Sequence, residues 1–155
     1  KVLAKQNKRR AYILGFNSQL KAQLNKKLLL SGGLNYTYGR IRTDSTATPL
    51  DHIPPFLMNA AVDYQMKKWA VHFAVQYNGK KKLKDYLLNG EDNEQYATAE
   101  GMPAWICTNV RLSYSPSKSI NVTAGVDNIM DTQYRTFASG INAPGRNFFL
   151  TLRLN

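Results

Sequence analysis

The sequence is poor in cysteine and in long apolar runs, and each shortage excludes a class of protein. Cys107 is the one cysteine among 155 residues, so the chain can form neither an internal disulfide nor a multi-cysteine zinc cluster. No apolar stretch approaches the roughly 20 residues that a membrane-spanning helix needs. The basic start, residues 1–15, also lacks the apolar core of a signal peptide, so we expect the signal of an exported protein to lie upstream.

Acidic residues are scarce as well. Lys and Arg number 21 against 10 for Asp and Glu, a formal net charge of +11. Such an excess is typical of proteins that meet nucleic acid, an anionic membrane surface or an anionic ligand. The most basic run, KKKLK at 80–84, lacks the interleaved aromatic residues of a single-strand binding platform. We therefore expect no nucleic-acid partner. We expect residues 80–84 to lie in an external loop that faces anionic lipopolysaccharide, attracts an anionic ligand or is simply solvated.

Enzyme motifs are missing too. The sequence contains no Gly-x-Ser-x-Gly, no His-Glu-x-x-His and no glycine-rich phosphate loop. Its two histidines and one cysteine are far apart in sequence, without the spacing of a metal site. We expect a protein that is not an enzyme and that holds no metal or other cofactor.

What the sequence does have is alternation of apolar and polar residues with a period of two. This period predicts β-strands with two different environments across them, and no segment has a convincing helical period. The alternating segments are residues 11–24, 28–38, 56–66, 69–78, 106–114, 120–127 and 148–155. The pattern predicts an all-β, antiparallel fold of seven strands.

The connections between these segments alternate in length. Three are tight turns: 25–27, 67–68 and 115–118. Three are long and polar or contain Gly and Pro: 43–55, 79–103 and 129–146. All short turns then lie at one end of the sheet and all long loops at the other. Short periplasmic turns and long extracellular loops are typical of an outer-membrane β-barrel.

The placement of charge predicts which face meets lipid. Lysines gather at strand ends and in loops, while strand interiors alternate apolar residues with small polar ones. A Lys or Arg on the lipid face near the midplane costs about 2–4 kcal/mol, and the apolar rows avoid one. We expect Leu150, Leu152 and Leu154 to face lipid, and the polar rows to line a wet lumen. A soluble, lipocalin-like carrier is the alternative, and it would place these leucines inside.

The strand count predicts a piece of a larger barrel. With seven strands, the first and last both run toward the short turns, whereas single-chain bacterial barrels have an even number and both termini in the periplasm. We expect residues 1–155 to form the C-terminal part of a larger outer-membrane barrel domain.

Two neighbouring motifs near the end of the chain resemble a known family. INVTAGVDNIMDTQYRTF at 120–137 and APGRNFFLTLRL at 143–154 resemble the close of TonB-dependent outer-membrane receptors. The matching residues are Val126, Asp127, Asn128, Ile129, Asp131, Tyr134, Pro144, Gly145, Arg146 and Phe148. Segments 49–56 and 91–105 resemble loops of Bacteroidetes-type members.

The resemblance implies a fold and a function. It implies a plugged barrel of about 22 strands in the cell outer membrane. It also implies active uptake of a scarce nutrient, of the ferric siderophore, haem or cobalamin class. Its partners would be TonB, reached through an N-terminal plug that lies outside this chain, the barrel-assembly machinery, and membrane lipid with lipopolysaccharide. A passive outer-membrane channel or a structural barrel is the alternative.

The residues of the terminal motif have expected structural roles. Asp127 and Asn128 can cap backbone groups where the sixth strand leaves the membrane. Pro144 suits a turn by fixing φ, and Gly145 suits it by permitting φ > 0. Arg146 could pair with a carboxylate, for which Asp127 and Asp131 are candidates, or contact ligand.

Four residues are candidates for ligand contact. His72 belongs to the predicted lumen row of the fourth strand, and His52 lies in the loop at 49–56. Tyr86 and Tyr96 share the long loop at 79–103. For each residue a structural role is the alternative: a hydrogen-bonded lumen histidine, or a solvated loop side chain.

Overall fold

The computed structural model describes residues 10–42, 46–87, 90 and 92–155. It contains two 3-10 helices, at Leu83–Asp85 and Glu94–Tyr96, and none of its described helices is long and apolar enough to cross a membrane. Its strands are β1 (Arg10–Asn25), β2 (Leu28–Arg42), β3 (Ala47–Pro49), β4 (Leu57–Met66), β5 (Trp69–Asn78), β6 (Lys81–Lys82), β7 (Gly101–Met102), β8 (Trp105–Tyr114), β9 (Ile120–Asp127) and β10 (Asn147–Leu154).

Seven long strands form one antiparallel sheet in the order β1-β2-β4-β5-β8-β9-β10. These are the seven predicted strands, so the all-β, antiparallel prediction is confirmed. The short strands were not predicted, because two- or three-residue segments carry no readable period. β3 pairs with the far end of β2, which extends β2 past its predicted limit at 38 to Arg42. β6 and β7 form a separate hairpin within a long loop.

The pairing register keeps the alternating rows in phase across the whole sheet. One row of facing partners is entirely apolar: Leu30, Val62, Phe73, Val110, Val126 and Phe148. The adjacent row is mainly polar: Asp63, His72, Arg111, Gly125 and Phe149. We call the two sides of the sheet the apolar face and the polar face. A slip of one residue in any strand would exchange its rows between the faces, so the pattern excludes such a slip, and the tight turns restrict the register further.

The apolar face is exposed rather than packed into a dry core. Among the described residues, the buried apolar side chains are Ile41, Tyr86, Met102 and Cys107. Leu150 is 74% exposed and Leu152 is 62% exposed. A lipocalin-like carrier would bury these leucines, so the sheet does not have that arrangement.

Phe149 is the aromatic exception on the polar face. Its ring covers Gly125 of β9, where a Cβ atom would clash with the ring edge. The same ring lies 5.7 Å from the guanidinium carbon of Arg111. Glycine at 125 is thus explained by the close approach of Phe149 across the strand pair.

The two ends of the sheet differ as the connection lengths predicted. The turn end carries the links β1–β2, β4–β5 and β8–β9, and the loop end carries residues 43–56, 79–104 and 128–146. An aromatic pair lies near each end of the sheet. The ring centroids of Trp69 and Tyr114 are 4.3 Å apart near the turns, and those of Phe56 and Tyr77 are 6.2 Å apart near the loops.

Candidate functional site

The three long loops converge on one buried lysine at the loop end. The side chain of Lys81 is 3% exposed, although its neighbours in the KKKLK run point into solvent. Its Nζ donates to the carbonyl oxygen of Ile53 at 2.5 Å and lies 3.4 Å from Oδ2 of Asp92. Asp92 Oδ1 accepts the backbone N–H of His52 at 2.8 Å. Both members of this ion pair belong to the loop after β5, and their hydrogen bonds to Ile53 and His52 join that loop to the loop after β2.

Two aromatic rings enclose the same ammonium group. The Lys81 Nζ lies 4.0 Å from the ring centroid of Phe137 and 5.1 Å from that of Tyr86. A cation held over aromatic faces away from water is stabilised by about 2 kcal/mol. Phe137 belongs to the loop after β9, and Asn93 also donates to the Ala138 carbonyl of that loop at 2.6 Å. The third loop is thereby joined to the other two.

Backbone geometry brings Lys81 to this position. Lys81 and Lys82 pair with Met102 and Gly101 in the β6–β7 hairpin. Gly101 has φ of 100°, and a Cβ there would clash with the Lys81 carbonyl oxygen. Since only glycine adopts that conformation at low cost, residue 101 helps to determine where Lys81 lies.

Burial changes the acid–base properties of this cluster. Burial lowers the pKa of Lys81, and the charge and hydrogen bond of Asp92 partly offset that change. Burial raises the pKa of Tyr86, and the negative charges of Asp92 and Glu94 raise it further. Both shifts favour the neutral side chain, as desolvation does for any ionisable group.

Beside this cluster the loops enclose a pocket of about 310 Å³. The loops after β5 and β9 line it together. Its walls include Tyr86, Tyr96, Trp105, Tyr134, Arg135 and Asn142. Aromatic surfaces with a few polar groups that converge on one space are typical of small-ligand sites.

The inner wall of the pocket is held by a stacked aromatic pair. Trp105 and Tyr134 have ring centroids 4.0 Å apart, and the Trp105 indole N–H donates to the Arg135 carbonyl at 3.1 Å. Burial raises the pKa of the Tyr134 phenol, and the neighbouring Cys107 adds to the shift. Tyr134, a residue of the terminal motif, thus helps to form the pocket.

The outer wall combines a cation with an aromatic face. The Arg135 guanidinium carbon lies 5.4 Å from the Tyr96 ring centroid. Arg135 also donates to Asn142 Oδ1 at 2.9 Å and to the Tyr96 carbonyl at 3.3 Å. These contacts orient a positive charge beside an aromatic ring that is 54% exposed. A planar anionic group suits such a pair, through stacking and charge together.

The four predicted ligand residues fall in three places. Tyr86 and Tyr96 both line the pocket. His52 borders it through its backbone N–H on Asp92, while its side chain is exposed. His72 lies on β5 near the turn end, where its Nδ1 is 2.7 Å from Asp63 Oδ1. The structure thus separates His72 from the other three residues. His72 is a hydrogen-bonded histidine on the polar face.

Sequence reasoning missed Lys81, Asp92, Trp105 and Arg135. Lys81 was expected only as part of a basic external loop, and its burial is a correction to that expectation. The sequence gives only a weak signal for these residues. Their positions depend on how separate loops pack together, and no local sequence pattern encodes that packing.

Asn128 organises the terminal motif. Its side chain is buried, its φ is 52°, and its Nδ2 donates to the carbonyls of Thr132 at 3.0 Å and Pro144 at 3.3 Å. Its Oδ1 accepts the Thr132 N–H at 2.9 Å, and its own N–H donates to Asn109 Oδ1 at 2.8 Å. Asn128 therefore caps the end of β9 as expected.

Two expectations for the motif are wrong in detail. Asp131 accepts the backbone N–H of Arg146 at 2.7 Å, whereas the Arg146 guanidinium donates to the Ile129 carbonyl at 2.9 Å. Asp127 instead lies 3.8 Å from Arg111, the neighbouring cation on β8. Gly145 does not have a positive φ, and glycine fits there because a Cβ would lie 2.8 Å from Asp131 Oδ1. Phe148 belongs to the apolar face and is 70% exposed.

Metal-ligating groups are sparse in the described part of the chain. No group of three or more His, Cys, Asp or Glu side chains there is arranged to hold a metal ion.

Comparisons with known proteins identify the family. Residues 4–129 match the family model described as TonB dependent receptor-like, beta-barrel. Transferrin-binding protein A of Neisseria gonorrhoeae is 27% identical over 139 residues, which cover 73% of this chain. The match spans 15% of the length of that relative.

Solved structures show the same fold. The copper transporter OprC is 19% identical and superposes with a TM-score of 0.76, over 93% of this chain and 23% of that one. The siderophore receptor PirA from Acinetobacter baumannii is 20% identical with a TM-score of 0.70, over 93% of this chain and 22% of that one. The seven-stranded sheet is thus part of such a barrel, while the Bacteroidetes type stays a prediction. Since the family model covers most of the sequence, this chain belongs to the TonB-dependent receptor-like β-barrel family.

Proposed function

We propose that this chain forms part of the wall and the external loops of an outer-membrane receptor that actively takes up a scarce nutrient. In this proposal an N-terminal plug, encoded outside residues 1–155, completes the site and couples uptake to TonB. The observation that carries the proposal is the pocket of about 310 Å³ between two long loops. The contact of the Lys81 ammonium with the Phe137 ring and the hydrogen bond from Asn93 to Ala138 hold these two loops together.

Orientation supports a role in capture. If the apolar face meets lipid, the short turns lie in the periplasm and the long loops outside the cell, as in other outer-membrane barrels. The pocket then lies on the side from which a nutrient arrives. Loops that are already joined lose less conformational freedom on binding, which favours affinity.

The nutrient class follows from the pocket and from the relatives. Arg135 and Tyr96 offer a cation beside an aromatic ring, which suits a planar anionic arm of a metal chelate. A pocket of about 310 Å³ is at the small end of ligand sites. It suits one arm of a ferric siderophore better than the whole macrocycle of haem or cobalamin. The structural neighbour PirA is a siderophore receptor, which supports the same class.

Binding to the full-length receptor tests the proposal. Ferric enterobactin, haem and cyanocobalamin are titrated separately by isothermal calorimetry, and the siderophore is expected to bind. Tyr96→Ala should weaken that binding about tenfold, because a contacting aromatic side chain contributes about 1–2 kcal/mol. Tyr36→Ala is the matched control, since Tyr36 is 50% exposed on the apolar face and Tyr96 is 54% exposed at the pocket. Equal effects of the two variants, or no binding of any probe, would reject the proposal.

A further inference from the structure

The turn end of the sheet concentrates positive charge. Its exposed lysines occur in all three short turns: Lys26, Lys27, Lys67, Lys68 and Lys118. No Asp or Glu occurs in those turns. Within the described residues, no ion pair involves any of the five, whereas Lys80 and Lys81 at the loop end are both paired. The charge at the turn end is therefore available to a partner outside the described fold.

Part of this charge surrounds one open depression of about 650 Å³. We call its lysines the basic turn cluster: Lys67, Lys68 and Lys118. Arg153, which pairs with Asn121, borders the depression from the polar face. The Ser115 N–H donates to the Lys68 carbonyl at 2.8 Å, which joins the two turns that supply the lysines. The Asn155 N–H donates to the Ser119 carbonyl at 2.9 Å, which joins the end of the chain to the second turn. The cluster is thus presented by one hydrogen-bonded surface.

The cluster lies immediately beyond an aromatic pair on the apolar face. Trp69 follows Lys68 directly, and its ring stacks on Tyr114 at 4.3 Å. Trp and Tyr rings in membrane proteins gather at the depth of the lipid headgroups. Side chains one or two residues past such a pair extend into the headgroup layer, where phosphate is the main anion.

We propose that the basic turn cluster binds the phosphate headgroup of an anionic phospholipid in the periplasmic leaflet. The proposal rests on the proposed function, since it requires the turn end to lie at that membrane surface. Lysine binds phosphate as a compact point charge with three donors, and the Ser117 hydroxyl at the same depression can add a further donor. Each basic residue near an anionic surface favours binding by roughly fivefold. Three lysines together therefore predict a clear preference for anionic over zwitterionic lipid.

Lipid retention by the full-length protein tests this inference. The protein is reconstituted in vesicles of phosphatidylcholine with and without phosphatidylglycerol, then re-extracted, and the bound lipids are quantified by mass spectrometry. Wild type is expected to retain phosphatidylglycerol in preference to phosphatidylcholine. The triple variant Lys67→Gln, Lys68→Gln, Lys118→Gln should lower that preference at least tenfold. The matched control Lys80→Gln, Lys82→Gln, Lys84→Gln removes the same charge from the loop end and should leave the preference within about twofold.

Three results would overturn the inference. Wild type could show no preference for phosphatidylglycerol, or the two triple variants could lose the preference equally. Inorganic phosphate could also displace the lipid completely, which would indicate a site for free anions rather than for a membrane headgroup. Outer-membrane fractionation and siderophore binding are measured on the same preparations. If wild type is found in the outer membrane and binds siderophore but shows no lipid preference, only the present inference fails. If wild type is not in the outer membrane or does not bind siderophore, the proposed function fails.

Discussion

Replacing Lys81 with methionine removes the cation of a buried ion pair whose members contact all three long loops. The Asp92 carboxylate, whose side chain is 0% exposed, would then stay in a low-dielectric site without its cation. Removing one partner of a buried pair costs about 3–5 kcal/mol. The population of opened loops should rise by roughly a hundredfold to a few thousandfold, because opening returns the carboxylate to water.

Hydrogen exchange followed by mass spectrometry measures this opening. The amides of the β6–β7 hairpin and the Leu83 N–H, which donates to the Glu100 carbonyl at 3.3 Å, are the reporters. Lys80→Met is the matched control, since Lys80 pairs with Glu100 at 2.5 Å but the two side chains are 43% and 79% exposed. Water screens an exposed pair and leaves it little effect on stability, so the control should speed exchange no more than about fivefold.

A second variant separates lost charge balance from lost packing. Lys81→Met combined with Asp92→Asn is neutral and keeps an acceptor for the His52 N–H, so most of the protection should return. If Lys81→Met exchanged no faster than Lys80→Met, the assignment of Lys81 as the residue that joins the loops would be wrong.

Two further predictions concern the same end of the molecule. Tyr86 should ionise later than the exposed tyrosines, because burial raises its pKa. Its contribution to loop stability is then fully present below pH about 10 and is lost as pH rises through the folded-state pKa, since the opened form loses its proton first. Absorbance titration of tyrosinate should show this late component in wild type. Because burial also raises the pKa of Tyr134, Tyr86→Phe should lose only part of the component, and an unchanged amplitude in that variant would refute the assignment. Asn128→Ala should destabilise the barrel by about 2–4 kcal/mol, since it removes three buried hydrogen bonds and leaves alanine in the left-handed region. Thermal unfolding in detergent measures this cost, and Asn142→Ala, which removes one exposed contact to Arg135, should cost less than about 1 kcal/mol.

The contacts between the long loops link the predictions for Lys81 and Tyr86 to the ligand capture that we propose. Lys81, Asp92 and Phe137 come from two loops that are far apart in sequence, yet they share one buried contact region. Weakening that region should reduce siderophore affinity even in variants that leave Tyr96 and Arg135 unchanged. Loop opening would then add an ordering cost to binding.

The sequence by itself determined the strands, the two faces and the two ends of the sheet. Alternation with a period of two is local, so each strand could be recognised without its partners. Alternation also restricted the register, because a slip of one residue would move Val62, Phe73 or Val110 to the other side of the sheet. The capping role of Asn128 was also predictable, since an Asn at a strand end bonds to nearby backbone.

Only the tertiary structure decided what the loops do. Lys81 and Lys80 are adjacent and chemically identical, but one is buried beside Asp92 and the other is exposed beside Glu100. No local rule separates them, because burial at 81 depends on Ile53 and Phe137 from other loops. The same holds for the pocket, whose wall at Trp105 and Tyr134 forms only when two loops meet. Period and composition act along the chain, whereas desolvation of a charge depends on the packing of residues distant in sequence.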